Sequence, residues 1–318
     1  MVDSETTVGK ALPDIRLEWH ALAIPVMAVA RFARRKPLGA VGGLIVLALI
    51  LMALLAPVIS PYDPRQIIRE EHNRVPVYVA PGSAYLLGTD HVGRDILSRI
   101  IHGARISLYV GGGAVLIGVT GWFIVGMVSA YAGGAVDLLV QRIVDAMMAV
   151  PGLIIVLAMM AVLGSSLNNV IIAIGIGMLA PVVRTVRSQV LSVKEMEYVM
   201  AARAIGAPSA RIILRHLMPN CLAIYLILAT YYLGFAIILE ASLSFLGVGV
   251  PPDVPSWGGM LTAAAQGHVT RAPWAGIFPG LAIFIAVLGF NLLGDALRDV
   301  LEPRLRGVSP TARLLSRG

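Results

Sequence analysis

The stretch LSVKEMEYVMAARAIGAPSARIILRHLMPN, from Leu191 to Asn220, is a charged island in an otherwise apolar chain. On either side lie residues 146–183 and 216–239, which contain no Asp, Glu, Lys or Arg. A helix needs roughly 20 apolar residues to cross the hydrocarbon core of a bilayer, so both flanks are long enough to span a membrane. The island therefore predicts a polar segment at the membrane surface between two spans, and we call residues 192–219 the corner.

Two short helices with a sharp turn between them are predicted within the corner. Ser192 to Glu195 has the spacing of a capping box, in which a hydroxyl and a carboxylate satisfy the free amides of a helix start. Gly206 permits a left-handed helix cap, and Pro208 is expected to open a second helix that runs to about Leu217. Connections between helices are usually ~2–8 residues long. The greater length of the corner favours a docking surface over the alternative, an ordinary loop on the membrane surface.

The composition of the whole chain is that of a membrane protein. Of its 318 residues, 58% are hydrophobic and 14% charged, whereas a soluble domain has about 25% charged residues. The polar segment GSSLNN, residues 164–169, divides the long uncharged run into two parts. A tail with an interfacial helix is expected at 1–36, a membrane domain at 37–300 and a second tail at 301–318. We predict an all-α polytopic membrane protein with six transmembrane helices, at about 38–60, 105–131, 139–163, 169–190, 219–246 and 274–297.

The distribution of basic residues predicts the orientation in the membrane. Lys and Arg are retained on the cytoplasmic side of membrane proteins. Of the 25 Lys and Arg residues, 18 lie in the two tails, in residues 184–219 and at Arg142 and Arg298. Both termini and the corner are therefore expected in the cytoplasm. The net charge of +7 reflects this topology and gives little support to nucleic-acid binding.

Motifs for catalysis, for nucleotide binding and for metal binding are absent from the sequence. There is no Walker A motif, and no nucleophile has a base at a plausible spacing. The six histidines are scattered, without two at ligand spacing on one helix. No cofactor or metal is therefore expected on this chain. A membrane protease or a lipid-modifying enzyme is an alternative that no motif supports.

Glycines and tryptophans in the apolar runs predict how the spans pack. Gly111–Gly113 lies inside a span, so it is interpreted as a close-packing surface, and the pair Gly39 and Gly43 is interpreted in the same way. Trp257 and Trp274 flank the last span and are predicted to be anchors at the membrane interface.

The connection from Ser60 to Ile101 is rich in proline and charge and is predicted to lie outside the cell. Asp90, Arg94 and Asp95 lie near Arg99 at helical spacing, which predicts local ion pairs worth about 0–1 kcal/mol each at a surface. Two interpretations of this connection remain open. It is either a contact surface for another protein or a solvated loop folded over its own spans.

Two acidic residues fall within or close to predicted spans, where charge is costly and often functional. Glu240, with Ser242 and Ser244 beside it, is a candidate for a transport pathway or for pairing with a partner. Its place near the outer end of the span leaves simple hydration as the alternative. Asp145 lies three residues after Arg142, and a structural ion pair between them is predicted.

The corner resembles the EAA loop of ABC-importer permeases of the dipeptide/oligopeptide branch. Ala201-Ala202, Gly206 and Met218-Pro219 have the spacing of that loop, with Met200 where the family has Glu. The missing Glu removes any salt bridge that it would make to an ATPase subunit. Three further segments are similar to the second permease subunit of this branch: GTDHVGRDILSRIIHGARISL (88–108), ILEASLSFLGVGVPPDVPSWG (238–258) and GDALRDVLEPRLRG (294–307).

The resemblance implies a type I ABC-importer permease fold in a bacterial inner membrane. It also implies a homologous permease as partner, two ATP-binding subunits that use ATP and Mg²⁺, and an extracytoplasmic substrate-binding protein. The residues implied to couple to the ATPases are Glu197, Met200, Ala201, Ala202, Arg203, Gly206, Ala207, Pro208, Arg211, His216 and Pro219. Asp90, Arg94 and Asp95 are implied to contact the binding protein.

Di- or oligopeptides are the substrate class that the resemblance implies, with nickel chelates or glutathione as alternatives within the same branch. A different class, an ion-coupled secondary transporter, would need carboxylates or broken helices at the membrane midplane. The sequence offers only Glu240 and Asp145 for that role. A scaffold membrane protein would have no use for the corner.

Overall fold

The computed structural model describes residues 33–34, 36–69, 73–266 and 270–301. Within these residues every regular element is a helix, which confirms the all-α class. Most of the predicted N-terminal tail and the tail after residue 301 lie outside the described residues. The helices are α1 (Pro37–Ile59), α2 (Ile96–Ala132), α3 (Gly134–Met148), α4 (Gly152–Leu163), α5 (Leu167–Gly177), α6 (Leu179–Lys194), α7 (Glu197–Ala204), α8 (Ser209–Phe245), α9 (Trp257–Ala265) and α10 (Trp274–Leu301).

Four of these helices, α1, α2, α8 and α10, are long and apolar enough to cross a membrane singly. A helix satisfies its own backbone hydrogen bonds, as hydrocarbon requires. The count rises to six if each of two bent helix pairs forms one span. α2 begins at Ile96, earlier than the predicted start near residue 105, because the Asp95 carboxylate accepts the Ser98 amide at 2.8 Å and caps the helix there.

The third and fourth predicted spans are bent rather than straight. α3 and α4 meet at 91°, and α5 and α6 meet at 43°. Pro151 lies at the first break in an extended conformation, and a proline cannot continue the hydrogen bonding of the preceding helix. The predicted break between spans three and four is present, since α4 ends at Leu163 and Ser166 caps α5 by accepting the Asn169 amide.

A close helix crossing joins α1 to α10 and depends on Gly42. A Cβ there would lie 2.6 Å from the Leu293 amide nitrogen and 2.8 Å from the Gly289 carbonyl oxygen. Gly43, one of the two glycines that the sequence analysis selected, has its nearest contact at 3.9 Å. Of the predicted pair, Gly39 is buried, as Gly42 is, so the prediction of glycine-mediated packing was correct for Gly39 and wrong for Gly43. In the Gly111–Gly113 run, a Cβ on Gly113 would meet Ile171 at 2.9 Å, whereas Gly112 is open.

Ion pairs fix α3 against α6. Arg187 donates to both carboxylate oxygens of Asp137 at 2.7–3.0 Å. Asp145 pairs with Arg184 at 2.8 Å, and its predicted partner Arg142 is farther away at 3.9 Å. A structural role for Asp145 was therefore predicted correctly, but the closer partner comes from the neighbouring helix.

The end of α8 that is remote from the corner is covered by α9. Trp257 is 1% exposed, and its indole N–H donates to the Ile100 carbonyl at 3.0 Å. The Trp257 ring lies over Gly103, where a Cβ would be 2.5 Å from the indole nitrogen. The prediction that Trp257 is an interface anchor was therefore wrong. Trp274 is half-buried with its ring against Gly88, and its role as an interface anchor stays a prediction.

We predict that Gly42→Val destabilises the protein, because the added isopropyl group would force α1 and α10 apart. Overpacking of this kind costs about 1–3 kcal/mol. The thermal unfolding midpoint of the purified chain in detergent measures the effect. Gly43→Val is the matched control and should leave the midpoint close to that of the unmodified chain. Equal midpoints for the two variants would contradict the proposed crossing.

Candidate functional site

The first helix of the corner begins about one turn later than the sequence predicts. α6 continues to Lys194, so Ser192 and Glu195 do not form the predicted capping box. Met196 is the N-cap of α7, with φ −72° and ψ 143°, and its side chain makes no capping hydrogen bond. The pattern of the capping box was overridden because Val193 is buried in the core and holds the end of α6 in place.

Gly206 ends α7 in the left-handed conformation that the sequence predicts, with φ +78°. Its amide donates to the Arg203 carbonyl at 3.0 Å, and the Ala207 amide donates to the Ala202 carbonyl at 3.1 Å. This pair of hydrogen bonds is a Schellman motif, which satisfies the last carbonyls of a helix. The turn between α7 and α8 is therefore fixed by the backbone.

Pro208 is the N-cap of α8 rather than its first residue, and Ser209 begins the helix. The second helix of the corner does not end near Leu217 as predicted. It passes through one π-helical turn, Ile213–Leu217, and continues to Phe245. Pro219 has no N–H to give to the preceding turn, and a π-helical turn is one way in which a helix accommodates that loss. The corner is thus joined rigidly to a membrane-spanning helix.

One face of α7 packs against the body of the protein. Val199 and Ala202 are buried, at 0% and 8% exposure, and belong to the largest hydrophobic cluster together with Ile212. The Arg203 guanidinium lies 5.7 Å from the centre of the Tyr131 ring, a cation–π contact with α2. These contacts orient the opposite face of α7 outward.

That outward face is apolar at its centre. Ile205 is 84% exposed, Met200 is 47% exposed and Tyr198 is 40% exposed. Tyr198 also lies 6.1 Å, centre to centre, from the ring of His216. Such a patch, rimmed by charge, is typical of a protein–protein contact. The other predicted coupling residues at the surface are Glu197, Ala201, Arg203, Gly206, Pro208, Arg211 and Pro219, with Ala207 and His216 half-buried.

Sequence reasoning missed two residues of this surface. Ile205 and Tyr198 fall outside the EAA pattern, although an apolar residue next to a helix-ending glycine was a usable signal. Tyr131 could not be found from the sequence, because its contact with Arg203 joins residues 72 positions apart in two different helices.

Glu240 lies in α8 near the covered end and is 0% exposed within this chain. Its carboxylate accepts hydrogen bonds from Ser244 at 2.9 Å and Ser107 at 3.5 Å. Simple hydration, the alternative considered above, is therefore wrong for the isolated chain. Ser244 also accepts the Val250 amide, and Ser242 donates to the Ile238 carbonyl. A role for these side chains in a transport pathway stays a prediction.

The acidic and basic residues predicted to form surface ion pairs are largely buried. Asp90 and Asp95 are 7% and 1% exposed, and Arg99 is 3% exposed. Arg94 pairs with Asp90 at 2.7 Å, but Asp95 caps α2 instead of pairing with a cation. Helical spacing was the wrong template, because residues 88–95 form a turn that precedes α2. Their contact with a binding protein stays a prediction.

Within the described residues, no group of three or more His, Cys, Asp or Glu side chains is arranged to hold a metal ion. The exposed chemistry of the corner is that of a docking surface, with no set of side chains converging on a reacting atom.

Comparison with known families agrees with this geometry. Residues 123–307 match the family described as binding-protein-dependent transport system inner membrane component. Residues 27–81 match the N-terminal TM domain of oligopeptide transport permease C. The first match includes α3 to α10 and the whole corner.

Named relatives match most of the chain. The di/tripeptide transport system permease protein DppC of Pseudomonas aeruginosa is 41% identical over 280 residues, 87% of this chain and 91% of that protein. The dipeptide transport system permease protein DppC of Alkalihalophilus pseudofirmus is 40% identical over 277 residues, 86% of this chain and 88% of the relative. The glutathione transport system permease protein GsiD of Pectobacterium atrosepticum is 40% identical over 272 residues, 86% of this chain and 89% of the relative.

The chain belongs to the family of binding-protein-dependent transport system inner membrane components. It is a multi-pass permease subunit of an ABC importer, the non-catalytic part of such a system. The ion-coupled secondary transporter considered from the sequence is therefore not retained.

We predict that Ala202→Asp disrupts the corner, because it places a carboxylate in the hydrophobic cluster. Burying a polar group without a partner costs about 1–3 kcal/mol in proteins. Hydrogen exchange of amides 197–217 in the purified chain should accelerate by about tenfold or more. Ala201→Asp, at the exposed neighbouring position, is the matched control and should leave the exchange rates unchanged. The same protection in both variants would show that α7 is not packed as described.

Proposed function

We propose that this chain forms, together with a homologous permease, the translocation pathway of a peptide importer. Two ATP-binding subunits dock on the corner, bind and hydrolyse ATP with Mg²⁺, and move the membrane helices through it. A substrate-binding protein delivers the substrate from outside. This chain binds no cofactor of its own.

The observation that carries the proposal is the form of the corner. A fixed backbone turn at Gly206 presents an exposed apolar face, and α8 leads from that turn into the membrane without a break. A push on α7 is therefore carried by packed side chains and by one continuous helix. A flexible loop would absorb the same movement.

Peptides are the proposed substrate class because relatives at about 40% identity carry di/tripeptide and dipeptide transport in their names. Glutathione is the second candidate, since relatives of similar identity are named for its transport. Glutathione is itself a tripeptide, so both candidates are short peptides.

We also propose that both termini and the corner lie in the cytoplasm of the host. The exposed basic side chains of the corner, Arg203, Arg211 and Arg215, support this orientation under the positive-inside rule. The connection between α1 and α2 then lies outside, where the binding protein docks.

Gly206→Asp should abolish coupling without preventing membrane insertion. No atom lies within 4 Å of a Cβ at Gly206, so the side chain fits. However, the positive φ is strained for any residue with a Cβ, by about 1 kcal/mol or more. The new charge would also face the docked ATPase. The readouts are the amount of ATPase that co-purifies with the variant and peptide uptake by proteoliposomes.

Gly164→Asp is the matched control for that variant. Gly164 has φ +79° and equally open surroundings, but it lies between α4 and α5, away from the corner. It should carry the same strain and keep both ATPase association and uptake. Full coupling in Gly206→Asp, or equal loss in the two variants, would refute docking at the corner.

Cysteine accessibility tests the proposed orientation. In a Cys221→Ser background, which removes the single and buried cysteine, cysteines are introduced at the exposed positions Ser83 and Ser209. A membrane-impermeant maleimide added to intact cells, after removal of the outer membrane where one is present, should label position 83 and spare position 209. Labelling of both positions, or of position 209 alone, would overturn the topology.

A further inference from the structure

A cavity of about 940 Å³ lies at the end of α8 that is remote from the corner. Its wall comes from the connection between α1 and α2, from residues 247–256 after α8, and from α9. Sites for small ligands commonly have volumes of about 300–1,000 Å³. Neither the corner nor the Glu240 carboxylate takes part in this wall.

Arg99, in the first turn of α2, is one of the residues that line the cavity. This side chain is 3% exposed, and its Nη1 atom donates to the Pro64 carbonyl at 3.0 Å. Its Nε atom is buried and has no hydrogen-bond partner among the described residues. An unpartnered buried donor on a charged group is costly, which indicates that the arginine is held for a ligand.

The Asp90 carboxylate lies near Arg99 but accepts its hydrogen bonds from other groups. Asp90 Oδ2 lies 3.8 Å from Arg99 Nε, beyond hydrogen-bond distance, and accepts Arg94 Nε at 2.7 Å. Asp90 Oδ1 accepts the backbone amides of Val92 and Arg94 at 3.0 and 2.9 Å. The Arg99 charge is therefore only partly compensated from within the described chain.

The other charges on the wall leave an excess of positive charge. Among the described residues, three arginines line the cavity, against the two acidic residues Asp90 and Asp253. Arg65 is exposed, lines the cavity and forms no ion pair among the described residues, whereas Arg99 is buried in the same wall. A guanidinium binds a carboxylate through two parallel hydrogen bonds, which makes arginine suited to this class of ligand.

We propose that this cavity is a binding site for a carboxylate-bearing solute of the size of a short peptide, with the carboxylate held by Arg99 and Arg65. A soluble ligand is favoured over a lipid because two of the three wall segments are connections outside the membrane-spanning helices. The inference rests on the proposed function for its peptide class of ligand, although it depends neither on ATP nor on docking at the corner.

Equilibrium binding of radiolabelled N-acetyl-Ala-Ala tests the site. The full-length chain is used in nanodiscs, with the subunits that co-purify with it but without ATP and without a binding protein. The probe carries one carboxylate and no amine, and its C-terminal amide is the uncharged control. The acid should bind at least about tenfold more tightly than the amide, the ratio expected for one charge-assisted hydrogen bond.

Two cavity variants and one control variant test whether the probe binds in this cavity. Arg99→Lys keeps the charge and loses the paired donors, so it should weaken binding by about tenfold. Arg65→Gln, at an exposed position that does not threaten folding, should weaken it by about threefold or more. Arg69→Gln is the matched control, because Arg69 lies in the same connection, contacts Asn73 and does not line the cavity. It should bind like the unmodified chain.

Equal binding of acid and amide, or loss of binding in none of the cavity variants, would overturn the proposal. Native mass spectrometry that finds a phospholipid lost specifically in Arg99→Lys, without binding of the acid, would assign the cavity to a lipid phosphate and also overturn it. Peptide uptake is measured in parallel. Intact uptake with no binding at the cavity refutes this inference alone and leaves the proposed function standing.

Discussion

The continuity of α8 is the constraint on which the rest of the structure depends. This helix runs for 37 residues from the corner to the covered end, about 55 Å at 1.5 Å per residue. The Schellman turn at Gly206 fixes its beginning, and hydrogen bonds from Thr262 to the carbonyls of Ser244 and Phe245 fix its other end. The surface of the corner and the arginine-lined cavity are therefore attached to the same rigid element, so displacement of one end is felt at the other.

The features that the sequence predicts best are those with a local cause. Uncharged runs of sufficient length become helices because hydrocarbon leaves the backbone no other partner. The turn at Gly206 was predictable because few residues other than glycine tolerate a positive φ at a helix end. The break before α5 was predictable because Ser166 competes for the free amides of a helix start. The class of protein and the location of the corner follow from such signals.

The features that escaped prediction depend on which side chains meet in three dimensions. Gly42 rather than Gly43 faces α10, and that choice is set by the rotation of α1 against its neighbour. Asp90 and Arg99 looked like a surface pair, yet the turn before α2 folds them inward. Trp257 looked like a membrane anchor, but Gly103 opens a place for its ring within the protein. In each case a short pattern was compatible with two environments, and only the packing of distant segments selected one.

If an ATP-binding subunit docks on the corner as proposed, the chemistry of this surface also explains how Met200 can stand where the EAA pattern has Glu. The exposed centre of α7 is apolar, and burial of a side chain such as Ile205 under a partner contributes about 1.5–3 kcal/mol. A single salt bridge at an exposed position contributes about 0–1 kcal/mol. Burial of apolar side chains therefore contributes more to the free energy of docking than one salt bridge does. Absence of the Glu removes only the smaller of these two contributions. Methionine is flexible and adapts to an irregular partner surface. The orientation of this face depends on the buried Val199 and Ala202 and on the turn at Gly206, and none of these requires a charge at position 200.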